Sequence, residues 1–436
     1  SRQDVALENI QPNEREVNFE KDPSRWAATP RFRFHLHNEV EEKLAAMARH
    51  EPTQPRLLNP DAKAPQAIIS SGVAAAHTRE ILQELDLWQR IPFYQVLQPF
   101  PLHSDFITHW LESYEDILVI EETMGVIEMQ LADRDRVKGR VSKTVPAVGE
   151  LYPEDIQEII AKFCAVQSER HAIPFFTGRR PTLCAGCPHR ASFFAIKKAA
   201  RKGIYTSDIG CYTLGMNLGA VDTVLCMGAA ISQASGFYHA YKNQENRPDI
   251  VATIGDSTFF HAGVPPLIDA VVQQVKFVLV ILDNRTTAMT GGQPTPTSGR
   301  GACGESLETV DIESLVRGCG VKYCMQGNPY QVNEFIDLMK DAVQYSRENG
   351  PAVVISKYPC VIDLARKGEA TEHIPVKVTE DCDRCAYCVK QFECPALIYH
   401  EDEARDEKYV SIDRILCTDC GVCLNVCPKG AIVAKE

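Results

Sequence analysis

IVATIGDS, residues 250–257, and FVLVILDN, residues 277–284, decide the fold. Each is a short apolar run that ends in an acid or an amide, and a helix-like segment, 265–274, lies between them. Five or six apolar residues in succession suit a strand covered on both faces, so the unit reads as βαβ in a parallel sheet. Asp256 then stands at the C-terminal end of one strand and Asn284 at the end of the next. Open α/β sheets collect their ligands at that edge. Two oxygen donors so placed can hold a hard Mg2+ that bridges a diphosphate. Taken alone, the pattern also fits an ordinary strand-to-helix turn without a ligand.

Outward from this unit the same alternation continues. Tyr205 to Cys211, Thr223 to Ala230 and the strand Ala352–Lys357, which runs on to Cys360, belong with it to a domain spanning 181–366. In its loop after Asn284, Gly291 and Gly292 permit close backbone approach to a ligand. A smaller parallel-sheet domain, 66–135, is read from the strand beginning at Ala67, a turn at Gly72, a helix from Val73 to Leu85, and strands at 92–97 and 116–120. Glu121 and Glu122, at the end of the last of these, read as a solvated edge or a subunit contact. Residues 136–180 form a helical connector whose helix starts at Pro153 and runs to about Val166; a basic loop with Gly178, Arg179 and Arg180 follows. Arg179, Arg180 and Arg190 read as surface charge. Residues 1–65 read as an arm with one short helix, His37 to Arg49, residues 367–380 as a charged linker, and 381–436 as a terminal module.

The chain has 436 residues, 44% hydrophobic and 24% charged, which is ordinary for globular protein and long enough for several cores. A net charge of -12 supplies no cationic footprint for nucleic acid. The apolar runs fall short of a membrane helix, and the charged opening residues do not read as a signal peptide. Among 17 cysteines, twelve fall into spacings that suit metal clusters better than disulfides, so a reducing cytoplasm is the expected compartment.

In the terminal module Cys382, Cys385, Cys388 and Cys394-Pro395 precede Cys417, Cys420, Cys423 and Cys427-Pro428. The second run is the bacterial ferredoxin pattern, in which the fourth cysteine serves the other cluster. Cys382, Cys385, Cys388 and Cys427 are therefore assigned to one [4Fe-4S] cluster, and Cys417, Cys420, Cys423 and Cys394 to a second. Two such runs exceed what tetrahedral zinc requires. Cys184 and Cys187 also have ligand spacing, Cys211 follows a strand-end glycine, and Cys360 lies just beyond a strand, so one sheet edge can gather all four. These read as a third [4Fe-4S] cluster; scattered core thiols or zinc are the alternatives. Cys164, Cys226, Cys303, Cys319 and Cys324 read as core or loop residues.

The 255–284 spacing resembles the thiamine diphosphate motif, with Ser257 where a glycine usually stands. The motifs LCAGCPHR (183–190), DIGCYTLG (208–215), CMGAA (226–230), GDSTFFHAG (255–263), LDNRTTAMTGGQPTP (282–296) and the cysteine tail together resemble the alpha subunits of indolepyruvate ferredoxin oxidoreductases, within the 2-oxoacid:ferredoxin oxidoreductase superfamily. The resemblance covers residues 67–436. It implies thiamine diphosphate, Mg2+ and three [4Fe-4S] clusters in an α/β multidomain chain with a transketolase C-terminal-like domain at 66–135 and a ferredoxin-like α+β tail.

By the same resemblance, Asp256, Asn284 and the carbonyl of Thr286 hold Mg2+. Gly255, Ser257, Gly228, Ala229, Gly210 and Thr290 line the cofactor. Met289 lies near the reacting carbon, where an apolar side chain suits an aryl substrate or simply packs in the core. His261 either moves protons near the cofactor or is structural. The implied reaction is oxidative decarboxylation of an arylpyruvate with coenzyme A. Electrons would pass from the Cys184/Cys187/Cys211/Cys360 cluster to the tail and on to ferredoxin. Alternatives are the same chemistry on pyruvate, 2-oxoglutarate or phenylglyoxylate, or an electron-transfer subunit whose thiamine fold is not catalytic. A smaller beta subunit and a dimer of heterodimers are implied. Family alpha subunits also carry a preceding pyrimidine-binding domain with the glutamate that activates the cofactor. That domain is expected in a longer form of the chain or on a separate polypeptide.

Overall fold

The structure, a computed structural model, describes residues 9, 18–168, 180–369, 373–402 and 407–435. Most of the first seventeen residues of the arm, with Gly178 and Arg179 of the basic loop, lie outside the described residues. The chain divides into two units, 1–177 and 178–436.

The first unit holds a five-stranded sheet in the order β1 (Arg56–Leu57), β3 (Phe93–Val96), β2 (Gln66–Ser71), β4 (Asp116–Ile120) and β5 (Val137–Lys138). Only the β1–β3 pair is antiparallel. Ile68, Leu118 and Ile120 face the helices Gly72–Glu84 and Pro153–Phe163; Ile69, Ile117 and Val119 face Phe106, Leu111 and Ile127. The short helix of the arm spans Arg33–Met47. It begins four residues before the expected His37 because Thr29 O accepts the N–H groups of Phe32 and Arg33 and starts the coil early.

Glu121 departs from the expected solvated edge. It is 3% exposed, and its carboxylate accepts the N–H groups of Ile127 at 2.8 Å and Glu128 at 2.9 Å. The residue thus caps a turn that no local sequence signal announces. Glu122 accepts the N–H of Leu151 at 2.9 Å.

In the second unit β6 (Ile204–Ser207), β7 (Thr223–Val224), β8 (Ile250–Gly255), β9 (Val278–Asp283), β12 (Tyr323–Gly327) and β13 (Ala352–Lys357) form one sheet in the order β12-β13-β9-β8-β6-β7. Every pair in it is parallel. Each face is covered, which is why β8 and β9 read as unbroken apolar runs. Val278, Val280 and Leu282 pack against helices Pro188–Ala199 and Val332–Asn349. Leu279 and Ile281 pack against Ala229–Tyr241, Val264–Val272 and Ile312–Gly318. Burying these five β9 side chains contributes about 1.5–3 kcal/mol each. The small pair β10 (Thr286–Thr287) and β11 (Gln293–Pro294) turns the following loop back over the sheet edge.

The tail is an α+β module: β14 (Val376–Val378) pairs with β17 (Ile432–Ala434), β15 (Leu397–Asp402) with β16 (Glu407–Ile412), and a helix spans Tyr387–Phe392. Its apolar core, with Leu397, Val410, Val422 and Ile432, continues into Ala191, Phe194 and Val332 of the sheet domain. Phe194 meets Phe392 edge-on at 5.9 Å.

Candidate functional site

Four strand ends point their chemistry the same way. Asp208 follows β6, Asp256 follows β8, Asp283 and Asn284 close β9, and Cys360 lies three residues past β13. Main-chain bonds lock this edge: Cys360 N–H donates to Asn284 O and Tyr358 N–H to Asp283 O, each at 3.1 Å.

A cavity opens here, lined by Gly210, Gly255, Asp256, Ser257, Asn284 and Thr286, with Met227, Ala288 and Met289 around it. Asp256 is 2% exposed, and its Oδ2 accepts the Thr295 hydroxyl at 3.0 Å. The Thr297 hydroxyl lies within reach of both Asp256 Oδ2, at 3.2 Å, and Asp283 Oδ1, at 3.3 Å. Burial, and then the Asp283 carboxylate beside it, pushes the Asp256 pKa up to about 7. Burial likewise raises Asp283, against the pull of Lys357 and Arg285. Two buried carboxylates with only hydroxyl donors between them suit a divalent cation, which would favour the ionised form. Asn284 Oδ1 accepts the Thr286 N–H at 3.1 Å, while its Nδ2–H donates to His189 Nε2 at 3.2 Å. His189 is 3% exposed and burial lowers its pKa to about 4, so the ring is neutral and carries its proton on Nδ1.

Gly255 and Gly210 are required by one aromatic ring. A Cβ at Gly255 would lie 2.7 Å from Tyr212 Cε1, and one at Gly210 would overlap the same ring. Tyr212 in turn donates to Ile209 O at 3.1 Å and touches Thr258 Oγ1 at 3.3 Å. Gly228 sits at the edge of the site: its N–H donates to Asp208 Oδ2 at 2.6 Å, and at φ +91 it leaves no room for a Cβ against Ala262. Ala229 starts the next helix from that turn. Neither is among the lining residues. His261 is exposed on a π-turn, Phe259–Gly263, and is not among them either. Thr290 spends its hydroxyl on Gln293 Oε1 at 2.7 Å, and Met289 stands half-exposed at the rim.

A second cavity shares His189, Cys211, Asn284, Thr286 and Ala288 with the first, and Cys184, Cys187, Cys211 and Cys360 all line it. The Cys187 thiol is pushed up to about 12 by burial, with Cys184 and Cys211 adding to the rise. Burial, then Cys360 and Cys184, raises Cys211. In the tail the structure brings Cys427 near the Cys382, Cys385 and Cys388 set and Cys394 near the Cys417, Cys420 and Cys423 set. Burial, then Cys427, Cys382 and Cys385, raises Cys388 to about 11. Burial, then Cys420, Cys394 and Cys417, raises Cys423 to about 12. Such thiols give up their protons when metal binds. Among the described residues no three His, Cys, Asp or Glu side chains converge as ligands of one metal ion. In a four-iron cluster each thiolate takes its own iron, so its cysteines need not converge on one ion.

Arg190 is not surface charge. It is 1% exposed inside the helix Pro188–Ala199, because its guanidinium is consumed by carbonyls on both sides. Arg180 is exposed and pairs with Glu393. His189, Asp208, Tyr212, Thr295 and Thr297 received no role from the sequence, although the first four lie inside the motifs above. An acid directly after a strand was the one signal available, at Asp208.

Residues 208–356 match the family model of the C-terminal TPP-binding domain of thiamine pyrophosphate enzymes, and residues 381–432 match a 4Fe-4S dicluster domain. The fold and site thus define a thiamine-dependent oxidoreductase subunit with an iron–sulfur tail. Indolepyruvate oxidoreductase subunit IorA of Archaeoglobus fulgidus is 37% identical over 95% of this chain and 67% of its own length. The IorA subunit of Methanothermobacter marburgensis is 36% identical over the same shares. The chain belongs to the IorA family of indolepyruvate oxidoreductase subunits and spans about two thirds of these relatives' length. A solved 2-oxoglutarate:ferredoxin oxidoreductase from Magnetococcus marinus aligns with 49% of this chain and 78% of its own, at 22% identity and a TM-score of 0.37. Among the described residues no helix is long and apolar enough to cross a membrane.

Proposed function

We propose that this chain binds thiamine diphosphate and Mg2+ at the β8–β9 edge, carries three [4Fe-4S] clusters, and serves oxidative decarboxylation of an arylpyruvate such as indolepyruvate or phenylpyruvate. The products are an aryl-acetyl-CoA and reduced ferredoxin. One observation carries the reading: the cofactor cavity and the four-cysteine cavity have five lining residues in common, His189, Cys211, Asn284, Thr286 and Ala288, so the two are immediate neighbours across a shared wall.

Asp256, Asn284 and the Thr286 carbonyl hold Mg2+. Gly255, Ser257 and Gly210 give the diphosphate backbone approach, and Asp208 fixes the Gly228 turn beside it. Neutral His189 braces Asn284 through Nε2. Met289 at the rim meets the aryl group. Bound thiamine diphosphate supplies the electron sink for loss of CO2 from a 2-oxoacid. Cys184, Cys187, Cys211 and Cys360 would hold a cluster beside the cofactor, and the eight tail cysteines two more, which would supply one-electron acceptors on the way to ferredoxin. Clusters reach potentials as low as about -700 mV, which suits so strong a reductant. The working assembly includes a smaller beta subunit and a pyrimidine-binding domain, as a dimer of heterodimers in the cytoplasm.

Turnover of the purified complex with indolepyruvate, phenylpyruvate and pyruvate tests the substrate, and fastest turnover of pyruvate would sink that choice. Iron analysis tests the clusters: about twelve per chain is expected, and about eight removes the site beside the cofactor.

A further inference from the structure

Arg190 is the bulkiest of the fully buried side chains. Its Nη1 donates to Phe392 O at 2.9 Å and also to Glu393 O; its Nη2 donates to Leu183 O and, at 3.3 Å, to Cys184 O. Phe392 and Glu393 lead into Cys394, while Leu183 and Cys184 open the Cys184-to-Cys187 loop. One planar guanidinium therefore ties the backbone of the sheet-domain cysteine site to that of the tail. Nearby, Tyr330 Oη–H donates to Gly186 O, and Gly186 is so close to Thr418 that a Cβ would overlap its hydroxyl.

Two further facts give Arg190 more than a fastening role. It lines an apolar cavity together with Cys187, Cys394, Cys417, Cys420 and Cys423. Its Nε–H is buried and has no hydrogen-bond partner among the described residues. A buried N–H without an acceptor is costly, and in this cavity sulfur is the acceptor at hand. Glu393 supplies the opposing charge. Its Oε1 pairs with Arg180, and its Oε2 is buried without a hydrogen-bond partner among the described residues.

Resting on the cluster reading above, we propose that Arg190 is a positioning residue for electron transfer between the two cysteine sites. Its forked bonds fix their separation, its Nε–H is directed to sulfur at the Cys394/Cys417/Cys420/Cys423 site, and its fixed positive charge raises that site's reduction potential. Each crossing moves one electron from the Cys184/Cys187/Cys211/Cys360 site to the tail, oxidising the first as it reduces the second; no proton moves and no bond is made. The reduced site bears one more negative charge, so a buried cation beside it stabilises that state and a buried carboxylate opposes it.

The test is a potentiometric titration of the purified complex followed by electron paramagnetic resonance, with iron and sulfide counts, for Arg190→Gln, Arg190→Lys and Glu393→Gln. Arg190→Gln should weaken reduction of this cluster about tenfold, or about 59 mV for one electron. Arg190→Lys keeps the charge and should recover most of that loss. Glu393→Gln should shift the potential the other way. Full iron with unchanged potentials in Arg190→Gln and Glu393→Gln overturns the proposal. Should Arg190→Gln lose iron, Glu393→Gln, which leaves the clamp intact, decides: absence of an upward shift overturns it. A wild-type complex with clearly fewer than about twelve iron per chain overturns the cluster reading itself, before any variant is compared.

Discussion

Replacing Asp256 by Asn should abolish a pH dependence of stability in the complex freed of Mg2+ and thiamine diphosphate. The native carboxylate is 2% exposed, and burial with the neighbouring Asp283 raises its pKa from 3.8 to about 7. Below the lower value both folded and unfolded chains hold the proton, and the residue costs nothing. Between the two values only the unfolded chain has released it, so stability falls as pH rises. Above the upper value both are ionised and the folded chain bears the whole cost. A shift of about three units corresponds to roughly 4 kcal/mol, an upper bound, of which about 2–3 kcal/mol is lost between about pH 5 and about pH 8. Urea unfolding across that range measures it. The wild-type midpoint should fall relative to that of Asp256→Asn as pH rises, because Asp283 and His189 titrate in both proteins and only the difference reports Asp256. Mg2+ with thiamine diphosphate should restore the wild type near pH 8 and leave Asp256→Asn unmoved. Parallel pH curves for the two proteins would refute the reasoning.

Four other outcomes are expected. Cys394→Ser should free Cys417, Cys420 and Cys423 to alkylation while Cys382, Cys385 and Cys388 stay protected, and Cys427→Ser should do the reverse; peptide mass mapping reads both. Gly186→Ala adds a Cβ at φ +70 against Thr418, which should cost about 1–3 kcal/mol in urea unfolding. Adding Thr418→Ala should return only the steric part. Gly255→Ala drives a methyl to 2.7 Å from Tyr212 Cε1, and thiamine retained by the complex, assayed as its fluorescent oxidation product, should fall about tenfold or more. His261→Ala, at an exposed position off the cavity, should change turnover by no more than about twofold, since surface substitutions stay within about 0.5 kcal/mol.

The sheet was legible because its strands are buried on both faces and so advertise themselves as apolar runs, and the ligand edge followed from the polar residue that ends each run. The tail was legible because cluster ligation fixes cysteine spacing within one short segment. What escaped depends on contacts made far along the chain. Arg190 looks like surface charge until Phe392, 202 residues later, supplies its acceptor. Thr295 and Thr297 reach Asp256 only because the loop after β9 folds back through β10 and β11. Glu121 read as a solvated edge because carboxylates are rarely buried, and its two N–H donors come from a turn without a sequence signature. His261 stood close to the motif in sequence, but the π-turn faces it outward.

The crossed pairing proposed for the tail cysteines has a topological consequence. Joining Cys394 to the 417–423 set closes an inner ring around the β15–β16 hairpin, and joining Cys427 to the 382–388 set closes an outer ring that contains it. The entropy of closing a flexible ring grows with the logarithm of its length, about 0.6 kcal/mol for each doubling. Closing the inner ring first shortens the free chain that the outer ring must span. Iron loading of the tail should therefore be cooperative and ordered from the inside, and stepwise reconstitution of the apo-complex would expose a random order if that were wrong. Oxidative loss of the inner set would slacken the outer one as well, so damage at one ring is inherited by its neighbour.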